Sequence, residues 1–173
     1  MSDSEWKAIS CLAGEVSDWH FVDLEALSVR KDSCALMRTY LIDVAQGGQL
    51  DLIDEIAHED MVDEANAAFG GPPGRAGLRQ HVVGFRRNVS NLTIDIQRIV
   101  GADDEVMAWW TFRGVHSGPW LGRPATGTSI SGTVFSFFAL RAGLVSYYRL
   151  WLCAEFPEPV VFDSSRAVAR LSR

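Results

Sequence analysis

From Leu92 onward the chain alternates apolar and polar positions through four segments, LTIDIQRIV, EVMAWWTFRGVHSG, ISGTVFSFFAL and GLVSYYRLWLCAEF. A period of two in stretches rich in β-branched and aromatic residues predicts four strands, joined mostly by hairpins. Gly101-Ala102-Asp103-Asp104 and Arg141-Ala142-Gly143 supply the first and last turns, and GPWLGRPATG the middle connection. Before residue 90 the period is helical. Leu36, Met37, Tyr40, Leu41 and Val44 share one face between a capping Ser33 and Gly47-Gly48, which predicts a helix over 33–46. A second, shorter helix is expected from Leu50 to about His58 on the spacing of Leu52, Ile53 and Ile56, and EDMVDEA then reads as a short strand or turn. Gly70-Gly71-Pro72-Pro73-Gly74 breaks the chain, and a third helix, about Arg75 to Asn88, follows with Leu78, His81, Val82 and Phe85 on one face.

Helices first and antiparallel strands afterwards is an α+β pattern. The expected architecture is a curved, mainly antiparallel sheet wrapped by about three N-terminal helices, a cone-shaped α+β barrel with a central pocket. Residues 32–157 would form this domain. Residues 1–31, where Trp6, Trp19, His20 and Phe21 scatter without a period, read as an N-terminal extension, and 158–173 as a C-terminal tail that ends in basic residues.

The 173-residue length suits one domain, with 47% hydrophobic and 22% charged residues. A net charge of −6 and the lack of any Lys/Arg cluster interleaved with aromatics argue against a nucleic-acid partner. Cys11, Cys34 and Cys153 suggest neither a disulfide framework nor a cysteine zinc site. With no basic-then-apolar leader at MSDSEWKAIS and no run of about 18 apolar residues, neither export nor a membrane partner is expected, and the cytoplasm is the expected compartment. No HExxH, P-loop or GxGxxG motif occurs, so no metal and no cofactor is expected.

The most specific segment is Gly114 to Gly127, GVHSGPWLGRPATG. With Gly114, His116, Gly118, Gly122, Pro124, Thr126 and Gly127 it resembles the GTHxGxxxGxxPTG signature of the SnoaL-like polyketide cyclases, small cofactor-free enzymes; Val115 and Ala125 depart from it. The resemblance runs over about 33–156, includes the helix start Gly74 to Gly77, and extends more broadly to the cone fold of ketosteroid isomerases, scytalone dehydratases and limonene epoxide hydrolases. It implies a homodimer that pairs through the outer sheet face.

The resemblance also frames the candidate site. Family members end on a strand reading G-K-I-x-E-x-W-x-x-x-D, whose Asp is the acid/base of ring closure. With Gly143 on the family Gly, Val145 falls on the Ile, Tyr147 on the Glu, Arg149 on the Trp and Cys153 on the Asp. The carboxylate is therefore missing from its place. Strand alternation puts 145, 147, 149, 151, 153 and 155 on one face, expected to line the cavity, so that Glu155 could replace the Asp. Near the pocket mouth, where relatives carry an aspartate, a hydrophobic pair and a histidine, this chain keeps Asp60 and then has Asp63 and Glu64.

Ring closure, isomerisation and epoxide opening all need a base of raised pKa and a donor for the oxygen that gains charge. Glu64 is the first candidate base and Glu155 the second, with His116 or His81 as acid or oxyanion donor and Arg149 as a cationic anchor. Tyr147, Trp151, Trp110, Phe85, Leu78 and Cys153 are the expected contacts for a bulky apolar small-molecule substrate. The activity read from these features is a cofactor-free cyclase or isomerase acting on a polyketide-like intermediate of natural-product biosynthesis. An epoxide hydrolase, dehydratase or hydroxylase, or a non-catalytic ligand-binding protein, are the alternatives.

Overall fold

The computed structural model describes residues 33–156 and 160–165. The N-terminal extension, Cys11 and the basic end of the tail lie outside them, as do both expected domain boundaries.

Helix α1 spans 33–46. It is α-helical to residue 39 and then widens into a π-helical stretch, Tyr40–Gln46, whose Tyr40, Leu41, Val44 and Ala45 are buried. Gly48, at φ +79°, closes it. The Arg86 guanidinium donates to the carbonyls of Ala45 and Gln46, which the helix end leaves without partners. The second predicted helix is shorter than expected: a 3-10 turn at Leu50–Leu52 runs into α2, Ile53–Ile56, and Ala57 is already extended. Ala57 opens β1, Ala57–Asp63, which pairs in parallel with the last long strand. A short helix that the periodicity did not predict, α3 (Glu64–Ala68), follows with Asp63 as its N-cap. Helix α4, Gly74–Asn88, lies where the third helix was expected.

The four predicted strands are β2 (Val89–Ala102), β3 (Glu105–His116), β4 (Ser129–Arg141) and β5 (Leu144–Glu155). They form an antiparallel meander, and the order across the sheet is β1-β5-β4-β3-β2. A sixth strand, β6 (Val160–Asp163), falls in what the sequence reads as tail and pairs with the second half of β5. Two side-chain contacts help hold it there: Phe162 stacks on Phe69 at 5.4 Å, and the buried Ser164 hydroxyl bonds both the N–H and the carbonyl of Leu150.

On β3 the inward residues are Val106, Ala108, Trp110 and Phe112, and on β4 they are Ile130, Val134, Ser136, Phe138 and Leu140. They meet the buried faces of α1 and α4 in one core. Strand β5 departs from simple alternation. Tyr147 pairs with Ala139 but Val145 pairs with Leu140, so Ser146 is an extra residue, a β-bulge whose hydroxyl donates to the Ala139 carbonyl at 3.1 Å. A one-residue insertion swaps the two faces of everything that follows. Inward residues beyond the bulge are therefore Tyr148, Leu150, Leu152 and Ala154, and the row Tyr147, Arg149, Trp151, Cys153 and Glu155, expected to line the cavity, lies on the outer face.

Candidate active site

The helices and the concave face of the sheet enclose a cavity of about 690 Å³. Tyr40, His81 and Phe85 reach it from the helices, Trp110 and Phe112 from β3, and Tyr148, Leu150 and Leu152 from β5. The loop Pro119 to Pro124 closes one side, with Trp120 packed against Phe85 at 5.5 Å and Phe112 at 5.8 Å. The walls are aromatic and aliphatic, as in sites for ring-bearing ligands.

A polar cluster crosses this apolar chamber. Asp63, on the same inward parity of β1 as Met61, leaves only 2% of its side chain exposed. Its Oδ1 accepts the Asn66 N–H at 3.0 Å and caps α3, while its Oδ2 lies 2.8 Å from His81 Nδ1. A carboxylate only accepts, so Nδ1 carries a proton, and in the neutral ring Nε2 keeps its lone pair. The His81 ring stacks on Tyr148, with centroids 5.6 Å apart and planes 20° from parallel. The Tyr148 hydroxyl is bonded to that of Tyr40 and lies 3.3 Å from Ser136 Oγ, which in turn accepts the Trp110 indole N–H at 3.0 Å. Five side chains from α1, β3, β4, β5 and α4 are thus linked in a run of contacts that ends on one carboxylate.

Burial works to lower the His81 pKa, but the Asp63 charge and hydrogen bond outweigh it and hold the imidazole above its ordinary 6.5. Burial first, and then the Asp63 charge, push Tyr148 well above the usual phenol range; Tyr40 is raised too, by burial and then by the neighbouring Tyr148 and Asp63. Both phenols are therefore neutral donors at any ordinary pH.

Of the residues singled out in the sequence, His81, Phe85 and Trp110 line the cavity, whereas Leu78 is fully buried in the core behind them. Glu64 is not on the cavity wall. It opens α3 and takes two hydrogen bonds from Arg149, Nε to Oε2 at 2.9 Å and Nη2 to Oε1 at 3.2 Å, with the Ser164 hydroxyl at 3.5 Å. Partial burial acts to raise the Glu64 pKa, yet the hydrogen bond and charge of Arg149 hold it below the ordinary carboxylate value. Arg149 lies between the rings of Tyr147 and Trp151, at 5.5 and 5.8 Å. Tyr147, whose phenol is pushed up to about 12 by burial and by Glu64, belongs to this outer cluster as well. Glu155 and Cys153 are exposed on the outer face, and Glu155 accepts the Ser131 hydroxyl. The outer placement of Tyr147, Arg149, Trp151, Cys153 and Glu155 follows from the bulge at Ser146.

His116 is fully buried and likewise outside the cavity lining. Its Nδ1 lies 3.1 Å from the Thr126 hydroxyl, its N–H donates to the Thr128 carbonyl and its carbonyl accepts the Gly127 N–H. The histidine thereby ties both ends of the long β3–β4 connection together. Sequence reasoning passed over Asp63, Tyr40, Tyr148 and Ser136 as site residues. Met61 and Asp63 two apart on a short strand were the available signal for the first. Among the described residues no group of three or more His, Cys, Asp or Glu side chains gathers to hold a metal ion, and no helix among them is long and apolar enough to cross a membrane.

The model of the SnoaL-like polyketide cyclases matches residues 35–152, most of the chain. The chain belongs to that family. No curated protein matches this cyclase-family chain in sequence. Solved structures share its fold. TsrD of Streptomyces laurentii superimposes with a TM-score of 0.62 at 23% identity, over 71% of this chain and 89% of TsrD. IdmH of Streptomyces antibioticus, a candidate polyketide cyclase, gives 0.55 at 21% identity over 83% and 99%. AclR of Streptomyces galilaeus, a candidate hydroxylase, gives 0.53 at 16% identity over 82% and 96%. These solved structures thus share the fold of this SnoaL-like chain, and the likeness at these identities is one of fold alone.

Proposed function

We propose that this SnoaL-like chain is a cofactor-free acid/base enzyme that closes or isomerises a ring in a bulky, apolar, polyketide-like intermediate, with His81 as its proton-transfer group. The observation that carries this reading is the His81–Asp63 pair at the wall of an aromatic cavity. Asp63 holds the imidazole in the tautomer whose Nε2 can take a proton, and the charge left on the ring after transfer is balanced by the same carboxylate. Tyr148 and Tyr40, neutral and linked, are the donors available to an oxygen that gains negative charge as a carbonyl enolises. The apolar walls exclude water and hold the ring system still.

The test is turnover, followed by mass spectrometry, of the intermediate that accumulates when the gene is deleted in its producing organism. A product of unchanged mass is expected with the native chain and not with His81→Gln. Gain or loss of water would move the reading to hydrolase or dehydratase chemistry, and tight binding without conversion to a binding protein. Glu64→Gln serves as the counter-test. It removes the charge that holds Arg149, so stability above the ordinary carboxylate pKa should fall by about 1 kcal/mol or less while turnover stays native; lost turnover at native stability would return Glu64 to the site.

The outer face supports a second copy of the chain as partner. Trp109 and Phe135, 45% and 43% exposed, stack there at 6.1 Å, and Trp151 is the next residue across. Sedimentation should show a dimer for the native chain and a monomer for Trp109→Glu.

A further inference from the structure

Among the described residues two buried side-chain atoms have no hydrogen-bond partner, Asn88 Oδ1 and His116 Nε2. His116 is not part of the cavity lining, whereas Asn88 is. Asn88 ends α4 and is only 8% exposed. Its backbone carbonyl accepts the N–H groups of Ser117 at 2.9 Å and Gly118 at 3.3 Å, so the start of the β3–β4 connection fixes where it stands. Gly118 also leaves room for the side chain, since a methyl group there would stand 2.5 Å from Oδ1. With Oδ1 sealed off, Nδ2 is the arm of the amide that keeps access to the space Asn88 borders, and no group among the described residues accepts its hydrogens. Asn66, the other buried asparagine in the lining, is by contrast engaged, with Nδ2 donating to the Pro72 carbonyl at 2.8 Å. A buried amide without partners costs the fold free energy, and an oxygen brought in by a ligand restores the missing bond.

We infer that Asn88 determines specificity at the far end of the cavity, where its Nδ2 donates to a second oxygen of the substrate, a carbonyl on the ring body remote from the carbon that His81 serves. This inference rests on the cavity being the reaction chamber and adds what the far end of its occupant carries. Asn88 follows His81 by seven residues on α4, or two turns, so the two share one stripe of the helix, with Phe85 between them, about 10 Å apart along the axis. Two fused rings bearing a carbonyl at each end match that spacing. Tyr148 and Tyr40 meet one oxygen and Asn88 the other, while Phe85, Trp110 and Phe112 pack against the hydrocarbon between. A neutral amide donor suits a neutral carbonyl. A site built to hydrogen-bond an oxygen also rejects the analogue that lacks it, because its own polar group is then left unpaired.

The experiment is calorimetric titration of the full chain with two probes of one shape, 2,6-diacetylnaphthalene and 2-acetyl-6-ethylnaphthalene, which differ only in the second carbonyl. The diketone should bind about tenfold more tightly, the worth of one hydrogen bond to an otherwise unpaired buried donor. In Asn88→Leu, which keeps the branching of the side chain, that preference should vanish while the affinity for the monoketone stays native. The side-chain amide protons of Asn88 in the native chain give a second reading by NMR, one that does not depend on how the variant folds. They should move downfield on binding the diketone and stay in place with the monoketone. Equal binding of the two probes, a preference that survives in Asn88→Leu, amide protons that do not respond to the diketone, or no binding of either probe by the native chain would each overturn the inference. None of these readings requires turnover, so failure of the His81 mechanism and failure of the contact at Asn88 are told apart.

Discussion

Asp63→Asn is expected to lower turnover by about a hundred- to ten-thousand-fold, the usual worth of a positioned proton-transfer group, although Asp63 itself need never touch the substrate. The α3 N-cap explains why the effect should be so large for an isosteric change. One oxygen of residue 63 must still accept the Asn66 N–H, so the amide nitrogen of the variant turns toward His81 Nδ1 and donates to it. The ring proton then moves to Nε2, and the imidazole faces the cavity as a donor instead of a base. The same change removes the charge that raises the His81 pKa and leaves burial, which lowers it. NMR of the His81 ring protons should therefore give a midpoint above 6.5 in the native chain and a lower one in the variant, with the pH limb of the residual rate moving the same way.

The linkage to stability has a definite sign. A histidine whose folded pKa is raised contributes stability that is fully present below its unfolded pKa and is lost as pH rises through the folded value. The native chain should accordingly lose this increment as pH rises above about 6.5, and Asp63→Asn should show no such loss. Wild-type turnover with an unmoved pH limb in the variant would remove the pair from the mechanism.

Gly74→Ala is expected to destabilise the fold by about 3 kcal/mol, from left-handed strain together with overpacking. Gly74 starts α4 at φ +67°, and a methyl group there would stand 2.1 Å from the Glu59 carbonyl oxygen of β1. That neighbour is strand backbone and cannot rotate away as a side chain would. Gly77, one turn on, meets the Pro72 carbonyl in the same way at 2.2 Å. Helix and strand are thus in backbone contact, and this closeness lets His81 of α4 reach Asp63 of β1. Gly84 on the same helix has nothing within 4 Å of its absent methyl group, so Gly84→Ala should add up to about 1 kcal/mol through helix propensity. Urea midpoints for the two variants should move in opposite directions. Similar midpoints would mean that the helix start tolerates a side chain.

The contrast between these glycines bears on what could be read from the chain alone. Gly74 sits in a cluster of Gly and Pro whose only reading is a forced turn, and α4 and the four long strands stand where the periodicities place them. The errors arise where one residue breaks a period. Ser146 adds a residue to β5, and the face assigned to the cavity by counting twos from Val145 became the outer one. A physical cue was present, since Arg149 and Glu155 share a parity with Cys153 and a row holding both charges belongs in solvent, opposite Leu150, Leu152 and Ala154. Parity from Met61 would have chosen Asp63 over Glu64 in the same way. Strand β6 had no comparable signal, because the contacts that help hold it, with Phe69 and Leu150, come from distant parts of the chain.

The bulge also decides what the cavity floor is made of. Past Tyr148, the inner surface of β5 and the neighbouring part of β4 offer Leu150, Leu152 and Val134, none of which has a proton to exchange. If β5 ran on from Val145 without the bulge, Ser146 would pair with Ala139, and Arg149 and Trp151 would take the inward places of Leu150 and Leu152. A flat apolar ring would then meet a charge where it now meets hydrocarbon.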